Sequence, residues 1–491
     1  MDAADPTPDT APDPDTAPDP WADPARFGQV FQLFLDTFVN TATRPTAVLA
    51  GVVQDEIGID PLTAPVTSRG YPAYELANVN LGVTGYVSGH EVVRVLGISG
   101  AGREYRSFTD LVTDGGFGGF RASAVEYRTV TVGVDEEMTC VACGLWLVKH
   151  GPDAVPVALM LRADDPNDPN TGVKLDVMTA DPATADEVLS AIEAEARDRD
   201  VLRGKVMSIQ PPTFGDSLGP MQFHSRPALT AADLVLPEGL LDLVERQVIG
   251  IARHREVLRS QGQHLRRGVL LHGPPGTGKT LTVRYLLGQA AEFTVLLITG
   301  PAIKYLGAAC ALARRLEPAL VVIEDVDLVA EDRMMAEGPQ PLLFQMLDEL
   351  DGLDDDSDVA FLLTTNRVEV LERALVERPG RIDVAVEVPL PDDVGRRTLF
   401  RLYGAALAVT ETELDEAADA CAGVTASFVK ECVRRAVLIA AERGASAAAG
   451  EDLRRALAEL IGARDELAGR LLGGDAQARH GHSSADLGGY C

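Results

Sequence analysis

The chain has 491 residues, 46% of them apolar, and a formal charge of -30, which is length enough for two or three domains with cores of their own. It shows no apolar run of about eighteen residues and no basic-then-apolar N-terminus, so neither a membrane span nor a signal peptide is expected and the chain reads as cytoplasmic. Its acidity argues against a general grip on nucleic-acid phosphates, and no nucleic-acid partner is expected.

Residues 1–25 repeat Asp, Pro, Thr and Ala, with no basic residue before Arg26. Such a segment buries too little apolar surface to offset its ordering entropy and is predicted to be a disordered acidic arm. Phe27, Phe31, Phe34 and Phe38 then follow at helical spacing and are expected to pack into a core. From about residue 45 to 210 short alternating segments such as Tyr127–Val134, Val155–Leu161 and Val173–Thr179 alternate with Gly-rich turns, a helix is predicted near Ala185–Arg197, and residues 27–210 together form one domain. This pattern predicts an α+β accessory domain for a substrate or adaptor. Cys140 and Cys143 form one close pair with no second pair and no nearby His pair, so buried inert thiols are expected rather than a zinc site. His90-Glu91-Val92-Val93-Arg94 lacks the second His of a zinc-protease helix. Pro211-Pro212 and the glycines from Gly215 to Gly219 place a linker at 211–228.

From Leu229 to Gly268 the chain reads as helical. Gly268-Val269-Leu270-Leu271 is an apolar strand, Gly273-Pro274-Pro275-Gly276-Thr277-Gly278-Lys279-Thr280 a glycine loop, and Leu281–Leu287 a helix. This is the P-loop arrangement, in which backbone N–H groups and a helix N-terminus face phosphate oxygens. Lys279 reaches the β- and γ-phosphates of ATP, and the Thr280 hydroxyl completes the shell of Mg²⁺. Phosphoryl transfer to water also needs carboxylates beside that loop, one for the metal and one for the attacking water. Glu324-Asp325, after the apolar Leu320–Ile323, supplies them, with Asp327 as an alternative base. A further apolar strand at 361–363 ends in Thr364-Thr365-Asn366-Arg367, and beyond Pro391 amphipathic helices such as Ser427–Arg443 and Glu451–Ile461 take over. From Gly473 a flexible tail carries His480 and His482 and ends in Gly489-Tyr490-Cys491.

Over about residues 229–460 these motifs resemble the AAA+ ATPases, and within them the AAA subclass of protein-remodelling machines; Gly268–Thr280 matches almost letter for letter. The resemblance implies a P-loop NTPase parallel sheet at 229–390 and a helical lid at 391–472, preceded by the smaller α+β domain. The family carries Asp then Glu where this chain has Glu324 then Asp325; by position Glu324 serves the metal and Asp325 the water. The shorter Asp loses roughly 1.5 Å of reach. Asn366 resembles the family's sensor of γ-phosphate and water. Arg378 and Arg381, around Pro379-Gly380, are similar to its arginine fingers, which act in the neighbouring subunit's site. A homo-oligomeric ring, hexameric by resemblance, follows. Lys304-Tyr305-Leu306-Gly307 stands where the family has a substrate-gripping pore loop; Tyr305 reads either as that aromatic or as a packed one. Tyr490 resembles the docking end of proteasome-activating ATPases. The implied function is ATP-driven remodelling, unfolding or translocation of proteins. The alternative is a nucleotide-switched interaction module with slow hydrolysis, for which the exchanged acids speak.

Overall fold

The computed structural model describes residues 24–42, 49–100, 102–113, 120–165, 171–209, 221–327, 356–369 and 382–471. The chain forms two compact units, Met1–Val130 with Glu137–Val201, and Leu202 onward with Thr131–Glu136.

The first unit is built on an antiparallel sheet. Helices α1 (Pro24–Ala42) and α2 (Leu49–Ile57) precede strand β1 (Val66–Tyr71), helix α3 (Leu76–Ser88), β2 (Glu91–Ser99), α4 (Phe108–Thr113), β3 (Arg121–Ser123), β4 (Glu126–Thr131), β5 (Glu137–His150), β6 (Val155–Arg162), β7 (Val173–Met178) and α5 (Pro182–Asp198). The strand order is β1-β7-β6-β5-β2-β3, with β4 pairing β5. Alternate residues of β5 and β6, Leu145, Leu147, Ala158 and Met160, pack with Leu49, Val53, Phe108 and Leu111 of α2 and α4. Helices α3 and α5 pack on each other, and both also contact the sheet. Asn80 of α3 is buried, and its amide accepts from Val141 N and donates to Val141 O and Leu76 O, so the side chain pins the helix to β5 as an extra strand residue would.

Two expectations meet the structure here. Phe27, Phe31 and Phe34 lie on a helix, as their spacing predicts, but they are exposed rather than packed in a core. Helical periodicity alone overstated their burial. Cys140 and Cys143 are buried free thiols, and burial pushes the Cys140 thiol up to about 11.

The second unit holds a seven-stranded sheet: β8 (Val206–Ile209), β9 (Met221–His224), β10 (Arg267–His272), β11 (Thr294–Ile298), β12 (Ala319–Ile323), β13 (Val359–Thr365) and β14 (Val384–Glu387), in the order β14-β10-β13-β12-β11-β8-β9. Every pairing is parallel except β8 with β9. The strands are buried on both faces, which is why they read as unbroken Val-, Leu- and Ile-rich runs. A broken helical run, α6 (Leu240–Glu245), α7 (Ile251–Arg253) and α8 (Arg255–Ser260), leads into β10, α9 (Lys279–Gln289) connects β10 to β11, and α10 (Leu306–Arg315) connects β11 to β12. Four helices follow, α11 (Asp393–Gly404), α12 (Glu411–Asp419), α13 (Ala426–Glu442) and α14 (Gly450–Leu471), around a core of Leu399, Phe400, Leu414, Val429, Cys432 and Leu453. Asp392, Thr410 and Thr425 cap the first three through their side chains.

The domain boundaries expected at 210 and 228 are displaced. Val206-Met207-Ser208-Ile209 pairs in parallel with β11, and β9 closes the same edge, so residues read as domain end and linker are sheet. Four residues are too few to betray a strand by alternation, and the prolines beside them dominate the local signal.

Arg267 opens β10 fully buried, donating to Asp358 Oδ1 at 2.8 Å and to the Val248 carbonyl at 2.9 and 3.1 Å. Removal of the acid leaves an uncompensated guanidinium in the core. Asp358→Ala is therefore expected to lower unfolding free energy by about 3–5 kcal/mol, read from the urea midpoint; a change below about 1 kcal/mol would contradict the role given to this pair.

Candidate nucleotide site

Parallel register brings the chemistry to one edge. His272 of β10 lies opposite Thr365 of β13, and Ile323 of β12 opposite Leu363, so the glycine loop, Glu324-Asp325 and Asn366 all leave the sheet side by side at the strands' C-terminal ends.

The loop from Gly273 to Gly278 joins β10 to α9. Gly276 and Gly278 take φ of 80° and 117°, backbone that an L side chain enters only with strain. At Gly276 a Cβ would also press on Ser427 Oγ and Thr425 Oγ1 at 3.0 and 3.1 Å. The same glycine's carbonyl accepts from Ser427 N at 3.1 Å, so α13 is bonded directly to the loop. Thr277 Oγ1 donates to Pro274 O at 3.0 Å and steadies the turn. Lys279, the first residue of α9, is buried and donates to the carbonyls of Gly273 and Pro274 at 2.7 and 2.9 Å. Burial lowers its ammonium pKa, while Asp325 and Asp327 act in the opposite sense. Thr280, next along the helix, is exposed.

Across from the loop stand the acids. Asp325 takes φ of 50°, its N–H donates to Thr364 Oγ1 at 3.0 Å, and its Oδ1 accepts from Asn366 Nδ2 at 3.1 Å. Glu324 turns the other way: its carboxyl is pushed up by burial and held back by the Thr280 hydroxyl, and its Oε1 is buried without a hydrogen-bond partner. An orphaned carboxylate oxygen beside an exposed hydroxyl is a hard oxygen donor set, and it fits a magnesium ion. The two acids thus divide by position, Glu324 toward Thr280 and Asp325 toward Asn366.

Pro275, Gly276, Lys279, Thr280, Asp325 and Asn366 line one pocket of about 440 Å³, within the usual range for a small-molecule site. Residues that sequence reasoning missed line it too. Arg284 lies four residues after Thr280, a spacing that puts both on one helix face and could have been read. Tyr403, Ser427 and Lys430 come from the C-terminal helices, with the Lys430 ammonium 6.0 Å from the Tyr403 ring centroid, and no local signal announces them.

Two expected residues are placed otherwise. Asp327, weighed as an alternative base, is 4% exposed, and its Oδ1 accepts from Thr365 Oγ1 at 2.9 Å and Asn366 N at 3.1 Å; it is not among the pocket-lining residues. Tyr305 is 5% exposed, at the end of a 3-10 turn that rolls into α10, with the Lys304 ammonium 4.7 Å from its ring centroid. In the single chain the ring is packed, the second of the two readings its position allows. Arg378, Arg381 and Tyr490 lie outside the described residues.

Known proteins share this half of the chain. Residues 269–390 match the family model described as "ATPase family associated with various cellular activities (AAA)". The chain is similar to ATP-dependent zinc metalloprotease FtsH 3 of Sphaerobacter thermophilus, 32% identical over 48% of this chain and 50% of that protein. It is also similar to proteasome-activating nucleotidase 1 of Halobacterium salinarum, 37% identical over 30% of this chain and 39% of that protein. The chain thus spans half or less of the length of these relatives. Among the described residues no group of three or more His, Cys, Asp or Glu is placed to hold a metal ion, and no helix is long and apolar enough to cross a membrane. Inside the segment that matches this family model, the glycine loop, the paired acids and Asn366 are gathered at one sheet edge.

Proposed function

We propose that this protein hydrolyses ATP in a homo-oligomeric ring, with hexameric stoichiometry, and couples that reaction to remodelling of protein substrates in the cytoplasm. The observation that carries the reading is the pocket itself, in which Lys279 and Thr280 on one wall face Asp325 and Asn366 on the other. The glycine loop and the N-terminus of α9 bind the phosphates, and Lys279 turns from its loop carbonyls to phosphate oxygens. Thr280 and Glu324 would hold magnesium, which when bound neutralises charge on the phosphate oxygens. Asp325 takes the proton of the attacking water, and Asn366, donor and acceptor at once, orients water and γ-phosphate together. Arg378 and Arg381 reach the next subunit's site. The accessory unit presents the substrate, and Tyr490 docks on a proteasome core, a reading that rests on its resemblance to the docking ends of proteasome-activating ATPases and accords with the name of the second relative.

A second reading, a nucleotide-switched interaction module with slow hydrolysis, draws on the buried Tyr305 and the short Asp325. Turnover with and without an unfolded protein separates the two: stimulation supports remodelling, a slow unstimulated rate the switch.

Lys279→Ala is expected to raise the Kd for ATP by about tenfold to a hundredfold through loss of a charged hydrogen-bond donor, measured by calorimetry on folded protein. Asp325→Asn should leave ATP binding within about twofold and lower kcat by about 10²–10⁴; unchanged turnover would remove Asp325 from the mechanism. If fingers act between subunits, specific hydrolysis rises with protein concentration, and strict proportionality down to nanomolar protein would speak for a self-sufficient monomer.

A further inference from the structure

The ends of β12 and β13 are stitched together by hydrogen bonds that run from behind the pocket into its lining. Asp327 is the centre of that stitching. It is buried, one of its oxygens receives both the Thr365 hydroxyl at 2.9 Å and the Asn366 N–H at 3.1 Å, and Thr365 Oγ1 in turn accepts from Arg367 N at 3.0 Å. Asn366 then donates its amide to Asp325 at 3.1 Å, and Asp325 donates its own N–H to Thr364 at 3.0 Å. The result is a closed circuit from one strand end to the other and back.

We infer that Asp327 is a positioning residue for hydrolysis: its buried carboxylate holds the backbone of Asn366 so that one amide can engage the base Asp325 and the γ-phosphate side of the pocket. Three features require this rather than a packing role alone. First, Asn366 follows the last residue of β13, where the ladder no longer constrains the chain, so something other than sheet pairing must set its backbone. Second, a charged acceptor taking two donors at one oxygen is a stronger constraint than a neutral one, and it sits where little water competes. Third, Asp325 is in left-handed backbone with a short side chain, so its alignment depends on what it touches, and Asn366 is that contact. A misplacement of about 1 Å at such a group costs up to about a hundredfold in rate.

The inference rests on the ATPase reading above, and the test keeps the two apart. In full-length protein Asp327→Ala is expected to lower kcat by about tenfold to a hundredfold with the Kd for ATP within about twofold. Asp327→Asn, which keeps a neutral acceptor oxygen, should recover part of the rate and fall between Asp327→Ala and wild type. The deciding measurement is a double-mutant cycle: if Asp327 acts through Asn366, Asp327→Ala with Asn366→Ala should turn over no more slowly than Asn366→Ala alone. Additive losses, or a loss in ATP affinity instead of kcat, overturn the inference. Should Asp327→Ala not fold, Thr365→Val replaces it in the same cycle, with Thr365→Ser expected to behave as wild type; a valine variant with undiminished kcat would also overturn it. Absence of any ATP turnover by the wild-type protein would instead refute the ATPase reading itself.

Discussion

Parallel pairing of β10, β12 and β13 is the constraint on which the rest of the second unit depends. The glycine loop, the two acids and Asn366 are scattered over more than ninety residues of sequence, and only a shared strand direction with a fixed register delivers them to the same edge. Arg267 and Asp358 secure the opposite end of the same strands, where β10 and β13 begin, and Asp383 Oδ2 accepts from Gly268 N at 2.8 Å beside them. Charge is thus buried at the starting end of these strands to fix register, and gathered at the finishing end to do chemistry.

How much of this could be read from the chain alone depended on how local each signal was. The glycine loop is a contiguous sequence between a strand and a helix, and that placement was legible from the chain alone. The acids and Asn366 were legible because each follows an apolar run that ends in polar residues. Glu324 and Asp325 were placed at the strand end by the same signal, and the structure gives each its own neighbour, Thr280 and Asn366.

What was not legible is tertiary. Tyr305 sits in a motif that suggests exposure, yet its burial is decided by how a 3-10 turn meets α10. The phenylalanines of α1 have the spacing of a core helix, and spacing does not say whether anything comes to cover it. Strand β8 is four residues long and becomes a strand through its neighbour β11. Asp327 looked like a spare base because type and proximity in sequence cannot distinguish an acid that faces water from one whose oxygen is already committed to two donors. In the first unit the buried Asn80 makes the same point: a polar residue inside a helix would be scored against the core until Val141 is seen across from it.

The bond from Ser427 N to the Gly276 carbonyl ties the first turn of a 17-residue helix to the middle of the glycine loop. Helix α13 is therefore a lever with its fulcrum at the phosphate-facing backbone. Its length is about 25 Å, so a tilt of about 10° at the fulcrum displaces the far end by about 4 Å. Helices α11, α12 and α14 share its core, so a tilt of α13 that began at the loop backbone would carry the C-terminal packet with it as one body.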